Sequence, residues 1–180
     1  MDAIAPCRTL VVAAASRHGG TCEIADRLAW VLENDLPLGW RVVRPDLSDL
    51  RVFDDADAVV LGSAIYMGNW LPEARQFVTR HASALRGRPV WLFSSGPLGA
   101  DDPQPTGDPA QLDELMTMTG AREHRIFVGK LDKHQLGFGE RLAVKMVKAP
   151  DGDFRDWDAI CVWAREIGAA LQPEAVLAAP

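Results

Sequence analysis

The chain has 180 residues, 48% hydrophobic and 24% charged, enough to bury a full core within one domain. A formal net charge of -6 argues against nucleic acid as the main partner, because a phosphate backbone requires a basic face. Three widely spaced cysteines, Cys7, Cys22 and Cys161, form neither a CxxC nor a zinc pattern, which speaks for a reduced, cytoplasmic setting over a disulfide framework.

Residues 8–15 read as a buried strand and 20–34 as a helix, with Ile24, Leu28, Val31 and Leu32 on its inner face. Leu36-Pro37-Leu38-Gly39 breaks that helix, and 40–44 form a second strand stopped by Pro45. Residues 46–57 are acidic and turn-rich, with Leu47, Leu50 and Phe53 as packing points. Residues 58–63, Ala-Val-Val-Leu-Gly-Ser, are apolar without alternation, as in a strand covered on both faces. A loop over 64–70 leads to a helix opened by Pro72, with Leu71, Ala74, Phe77 and Val78 facing inward. Residues 89–93 give a fourth strand, 101–109 a polar surface loop, 111–119 a helix and 125–129 a fifth strand. A helix over 154–171 closes the fold, with Trp157, Ile160, Ala164, Ile167 and Leu171 as its apolar stripe. Residues 1–172 are expected to form one domain, followed by a short Ala/Pro-rich tail at 173–180. The N-terminus has no signal-peptide pattern, and no apolar run approaches a membrane span.

Alternation of strands and helices at this spacing implies right-handed crossovers. The predicted fold class is α/β: a flavodoxin-like, doubly wound, five-stranded parallel sheet of order 2-1-3-4-5 with helices on both faces. Its ligand is expected at the carboxyl ends of the strands, near the switch between the first and third.

Three loops meet at that edge. Ser16, Arg17, His18, Gly19, Gly20 and Thr21 join the first strand to the first helix. Unpaired helix-start N–H groups, the helix dipole and the glycines suit an anion there, although the same stretch also reads as an ordinary turn capped by Ser16 or Thr21. Ser63, Ala64, Ile65, Tyr66, Met67 and Gly68 follow the third strand, and Ser94, Ser95, Gly96, Pro97, Leu98 and Gly99 the fourth. Rich in small and hydroxyl residues, these two loops can clamp a flat heteroaromatic ring, with Tyr66, Met67 and Trp70 available to cover it. Trp70 alternatively packs at the start of the next helix.

The Ser-x-His-Gly-x-Thr pattern of residues 16–21 resembles the FMN phosphate loop of the flavodoxin superfamily. The run Gly62–Trp70, the Ala74–Phe77 stretch after it, and Asp156-Trp157 at the head of the last helix resemble the branch holding the menaquinone-dependent, oxygen-independent protoporphyrinogen oxidases. The resemblance spans about residues 8–171. It implies FMN as cofactor, with residues 16–21 on its phosphate and residues 63–68 and 94–99 flanking the isoalloxazine. Arg17 either pairs with the phosphate or is a solvated surface charge, and His18 is read as a phosphate donor. No side chain is assigned as catalytic, and no metal is expected.

Residues 130–148 are basic within an acidic chain, with Lys130, Lys133, Arg141, Lys145 and Lys148 against Asp132 and Glu140. Such a segment can lie on an anionic membrane, dock a redox partner or bind an acidic substrate, or simply solvate a helix. In the oxidase branch an insertion occupies this place, which implies porphyrinogen and quinone as substrates, Arg141 or Lys145 pairing with the porphyrinogen's propionates. A plain electron carrier is the alternative function. A phosphatase-like domain fits less well, because Cys22 and Arg27 are too close for a Cys-x5-Arg cradle. So does a receiver-type domain, for which Asp46 and Asp57 are too isolated to hold Mg²⁺.

Overall fold

The computed structural model describes residues 7–96, 110–131 and 152–172. In chain order the elements are β1 (Arg8–Ala15), α1 (Gly20–Asp35), β2 (Trp40–Val43), α2 (Leu50–Asp54), β3 (Ala58–Tyr66), β4 (Asn69–Trp70), α3 (Pro72–Arg86) and β5 (Val90–Ser95). There follow α4 (Leu112–Thr119), β6 (Glu123–Phe127), β7 (Lys130–Leu131), β8 (Gly152–Asp153) and α5 (Trp157–Leu171). Five strands run parallel in the order β2-β1-β3-β5-β6, which is the predicted 2-1-3-4-5 sheet. The switch between β1 and β3 therefore opens a crevice at their carboxyl ends.

Side-chain alternation along the central strands divides the core into two faces. Leu10, Val12, Val60 and Phe93 pack under α1 and α5, while Val11, Ala13, Leu61 and Leu92 pack under α3. The inward residues predicted for α1 and α3 are all buried. On the first face Phe127 and Trp163 meet edge-on with ring centroids 5.6 Å apart, and Phe93 lies 6.2 Å from each. Phe93 also fixes Gly62, because a Cβ there would sit 2.1 Å from its ring. Among the described residues no helix is long and apolar enough to cross a membrane.

Four local expectations are corrected. The stretch 46–57 contains the short helix α2, which seats Phe53 in the core beside Phe77. The stretch 64–70 is a hairpin: β3 continues to Tyr66 and turns through Met67 and Gly68, both at positive φ, to pair Ile65 with Trp70. Two positive-φ residues in succession are what a tight two-residue hairpin needs. The fifth parallel strand lies two residues earlier than predicted, at 123–127. As an edge strand, paired among the described residues with β5 alone, it tolerates Glu123 and Arg125: the Arg125 guanidinium pairs with both Glu123 and Glu166. The last helix starts at Trp157, where the Asp156 carboxylate accepts the Ala159 N–H at 2.9 Å and caps it.

Candidate functional site

The first loop leaves β1 at Ala15 and turns into α1 through Gly19, whose φ of 79° suits glycine. Gly19 is the N-cap and has no side chain to satisfy the first-turn N–H groups. The loop meets part of that demand itself: Ser16 Oγ accepts the Thr21 N–H at 3.2 Å. A hydroxyl that accepts in this way keeps its own proton for an incoming oxygen. Arg17, His18 and Gly19 are exposed, and nothing lies within 4 Å of where a Gly19 Cβ would be. Thr21, by contrast, is buried and holds the helix start in place. Open space, helix-start N–H groups, a hydroxyl and a guanidinium make a donor set that fits a phosphate monoester.

The two ring segments are built differently, and they begin inside the sheet: Ser63 to Tyr66 belong to β3, and the fourth parallel strand, expected at 89–93, runs from Val90 to Ser95 and takes in Ser94 and Ser95. Ser63 is fully buried; its hydroxyl accepts the Leu71 N–H at 2.9 Å and donates to the Ala64 carbonyl at 2.9 Å. Ser94 is also fully buried; its Oγ accepts the Trp70 indole N–H at 2.7 Å and lies 2.7 Å from His124 Nε2. Both hydroxyls therefore brace the scaffold, and these loops offer a ligand chiefly their backbone and exposed side chains. Trp70, 1% exposed, takes the packing role and is withdrawn from covering a ring. Gly96 N donates to the Phe127 carbonyl at 3.0 Å, and a Cβ on Gly96 would lie 3.6 Å from the Ile65 Cβ, so the two loops approach closely. Ala64 and Ile65 are half-buried, Ser95 is buried, and Tyr66, Met67 and Gly68 are exposed. Pro97, Leu98 and Gly99 lie outside the described residues.

Arg17 links cradle and hairpin, its guanidinium carbon standing 4.4 Å from the centroid of the Tyr66 ring. A cleft of about 640 Å³ opens beside this pair, lined further by Met67, Trp70, Pro72 and Arg75. Of the basic segment 130–148, only Lys130 and Leu131 are described. They form β7, which pairs with β8 across the intervening chain.

Two residues that the sequence reading did not single out stand beside the site. His124 braces Ser94, a contact no spacing rule signals. Arg155, with its side chain 2% exposed, reaches Asp153, Glu23 and the Gly20 carbonyl. Burial alone would lower the Arg155 pKa, but hydrogen bonds and charge from Asp153 and Glu23 outweigh it and raise it. Partial burial would raise the Glu23 carboxyl, but Arg155 and then Lys130 hold it below its ordinary value. The Asp153 carboxyl is lowered by hydrogen bonds from Arg155, against partial burial. The alternating Asp153-Phe-Arg155 was the available signal, but its partner Glu23 is 132 residues away.

No curated protein sequence matches the chain. Among solved structures it is similar to flavodoxin 1 from Bacillus cereus, at 18% identity and a TM-score of 0.60, covering 91% of this chain and 99% of that one. A flavodoxin from Streptococcus pneumoniae TIGR4 gives 20% identity and a TM-score of 0.59 over the same shares. Rubredoxin oxygen:oxidoreductase from Desulfovibrio gigas gives 15% and 0.61, covering 93% of this chain but 37% of that longer one. At these identities the likeness speaks for the fold. The family assignment rests on sequence: the flavodoxin-domain model matches residues 11–158, so this chain belongs to the flavodoxin-domain family, whose cofactor is FMN.

Proposed function

We propose that the chain is an FMN-dependent oxidoreductase in which residues 16–21 hold the phosphate and the loops 63–68 and 94–99 flank the isoalloxazine. The observation that carries this reading is the convergence of an open, glycine-capped helix start with two closely packed loops at the β1/β3 switch. FMN supplies the electron-transfer chemistry when bound. The chain's own contribution is to bind and orient: Ser16 and the helix start hold oxygen atoms, while Arg17 adds charge and steadies Tyr66. The fully buried Ser63 and Ser94 brace the ring loops by accepting the Leu71 N–H and the Trp70 indole N–H.

The finer reading is a protoporphyrinogen oxidase type that passes electrons to a quinone, at the cytoplasmic membrane surface through residues 130–148. Its support is the resemblance of residues 62–70 and 156–157, together with a cleft beside the ring loop large enough for a substrate edge. The second reading, an electron carrier without its own substrate, is favoured by Met67, which at 87% exposure leaves the ring loop open to a partner protein.

Purified protein should be yellow, release FMN on denaturation, and oxidise protoporphyrinogen anaerobically with a menaquinone analogue as acceptor. Protein that stays colourless after reconstitution with FMN would sink the flavin assignment. A yellow protein that leaves protoporphyrinogen untouched but exchanges electrons with a flavodoxin reductase would be a carrier.

A further inference from the structure

We propose that Arg155, outside all three loops, is a positioning residue that tunes the cradle for a doubly charged phosphate. The proposal rests on the assignment of residues 16–21 to the FMN phosphate. Among the described residues Arg155 is the one charged side chain in the buried set. Its Nη1 donates to the Gly20 carbonyl at 3.0 Å. That carbonyl and the Thr21 N–H belong to one peptide group, and the Thr21 N–H donates to Ser16 Oγ at 3.2 Å. A single peptide at the helix start is thus held from both ends. A cation on its carbonyl also polarises its N–H, and through it the Ser16 hydroxyl that is left free to donate.

Charge gives the second half of the argument. Glu23 lies in the first turn of α1, where its carboxylate would oppose a phosphate dianion. Arg155 Nη2 takes one Glu23 oxygen at 2.7 Å and Lys130 Nζ the other at 3.3 Å. Asp153 holds the guanidinium from a second side, through Nε at 2.7 Å and Nη2 at 2.6 Å. Two cations and two carboxylates balance, so the cradle's floor is neutral. Without Arg155 the balance becomes negative beside the phosphate site. The same contacts tie the paired strands β7 and β8, and with them the start of the basic segment, to the phosphate end of the site.

The test is titration of apo-protein with FMN and with riboflavin, which lacks the phosphate, at about pH 5.5 and about pH 8, on either side of a phosphate second pKa near 6. Arg155→Met should weaken FMN about 10-fold at the higher pH, with riboflavin changed less than about 3-fold. The FMN penalty should shrink at the lower pH, where the phosphate is mostly monoanionic. The other charged or titratable groups at the cradle are Arg17, His18, Glu23, Lys130 and Asp153; loss of Arg155 lets the Glu23 and Asp153 carboxyls rise toward their ordinary values of 4.5 and 3.8, both below the lower of the two test pH values. Glu23→Gln, which keeps Arg155 paired with Asp153, should tighten FMN and leave riboflavin alone; it decides the matter if Arg155→Met does not fold. Equal loss of FMN and riboflavin, a pH-independent FMN penalty, or a Glu23→Gln variant with unchanged FMN affinity would each overturn the proposal. Wild-type protein that binds neither flavin would instead overturn the site assignment beneath it.

Discussion

The proposed phosphate cradle and the proposed ring loops share a composition of serines and glycines, yet they spend those residues in opposite ways. In the cradle Ser16 is only half-buried and its hydroxyl accepts one main-chain N–H, leaving a proton to give. In the ring loops Ser63 and Ser94 are sealed in the scaffold and both donate and accept internally or stand against another side chain. A hydroxyl at a sheet's carboxyl edge is thus not by itself a ligand group. What separates the two cases is whether a buried donor next to it needs an acceptor more than a ligand does.

The contrast is sharpest between Trp70 and Tyr66, which pair into the same hairpin with opposite exposure. Trp70→Ala removes a buried indole and strips Ser94 of its donor, and should cost about 3–5 kcal/mol of stability in urea unfolding. Tyr66→Ala should change stability by less than about 0.5 kcal/mol, as a surface substitution does, while weakening FMN binding because Arg17 loses its stacking partner. If the two variants were equally destabilised, the hairpin would be a single structural unit and the division between brace and ligand contact would be wrong.

The serines offer a smaller version of the same comparison. Ser94→Ala leaves the Trp70 N–H buried without its acceptor and should cost about 1–3 kcal/mol, with flavin affinity falling only as far as the fold loosens. Ser16→Ala removes a cap-like acceptor at a half-buried helix start, costing about 1 kcal/mol, but should weaken FMN far more than riboflavin. Denaturant melts paired with titrations of both flavins separate the two. A Ser94→Ala variant that loses FMN selectively, at unchanged stability, would move Ser94 into the binding site.

How far the sequence disclosed this follows from the range of the interactions. The unbroken apolar run at 58–62 and the helical spacing of Ile24, Leu28, Val31 and Leu32 are local signals, and they led directly to the parallel sheet and its cover. The open, glycine-capped helix start after β1 was legible because residues 16–21 are contiguous in the chain. Edge strand β6 was expected two residues late, at 125–129, because Glu123 and His124 look polar until their partners Arg125 and Ser94 are known. The ring-loop serines were read as ligand groups because their competing partners, Leu71, Trp70 and His124, come from elsewhere in the fold. Arg155 was missed for the same reason, since the Gly20 carbonyl it holds is 135 residues away.

The weakest expected effect concerns that distant contact and acid. Glu23 and Asp153 are both held below their ordinary values of 4.5 and 3.8, so the folded protein binds fewer protons than the unfolded chain near those values. Their contribution to stability is therefore complete above about pH 5 and is lost as the pH falls through the depressed folded values. Both side chains are 40–45% exposed, so water screens the pairs and the loss should be modest. Urea midpoints measured from about pH 7 down to about pH 3 should stay level at first and then decline. Asp153→Asn should start lower at neutral pH, because Arg155 loses one of its two carboxylates, and should then decline less steeply in acid. An equally steep decline in both proteins would place the acid sensitivity in other carboxylates and leave the Arg155 cluster without a share in it.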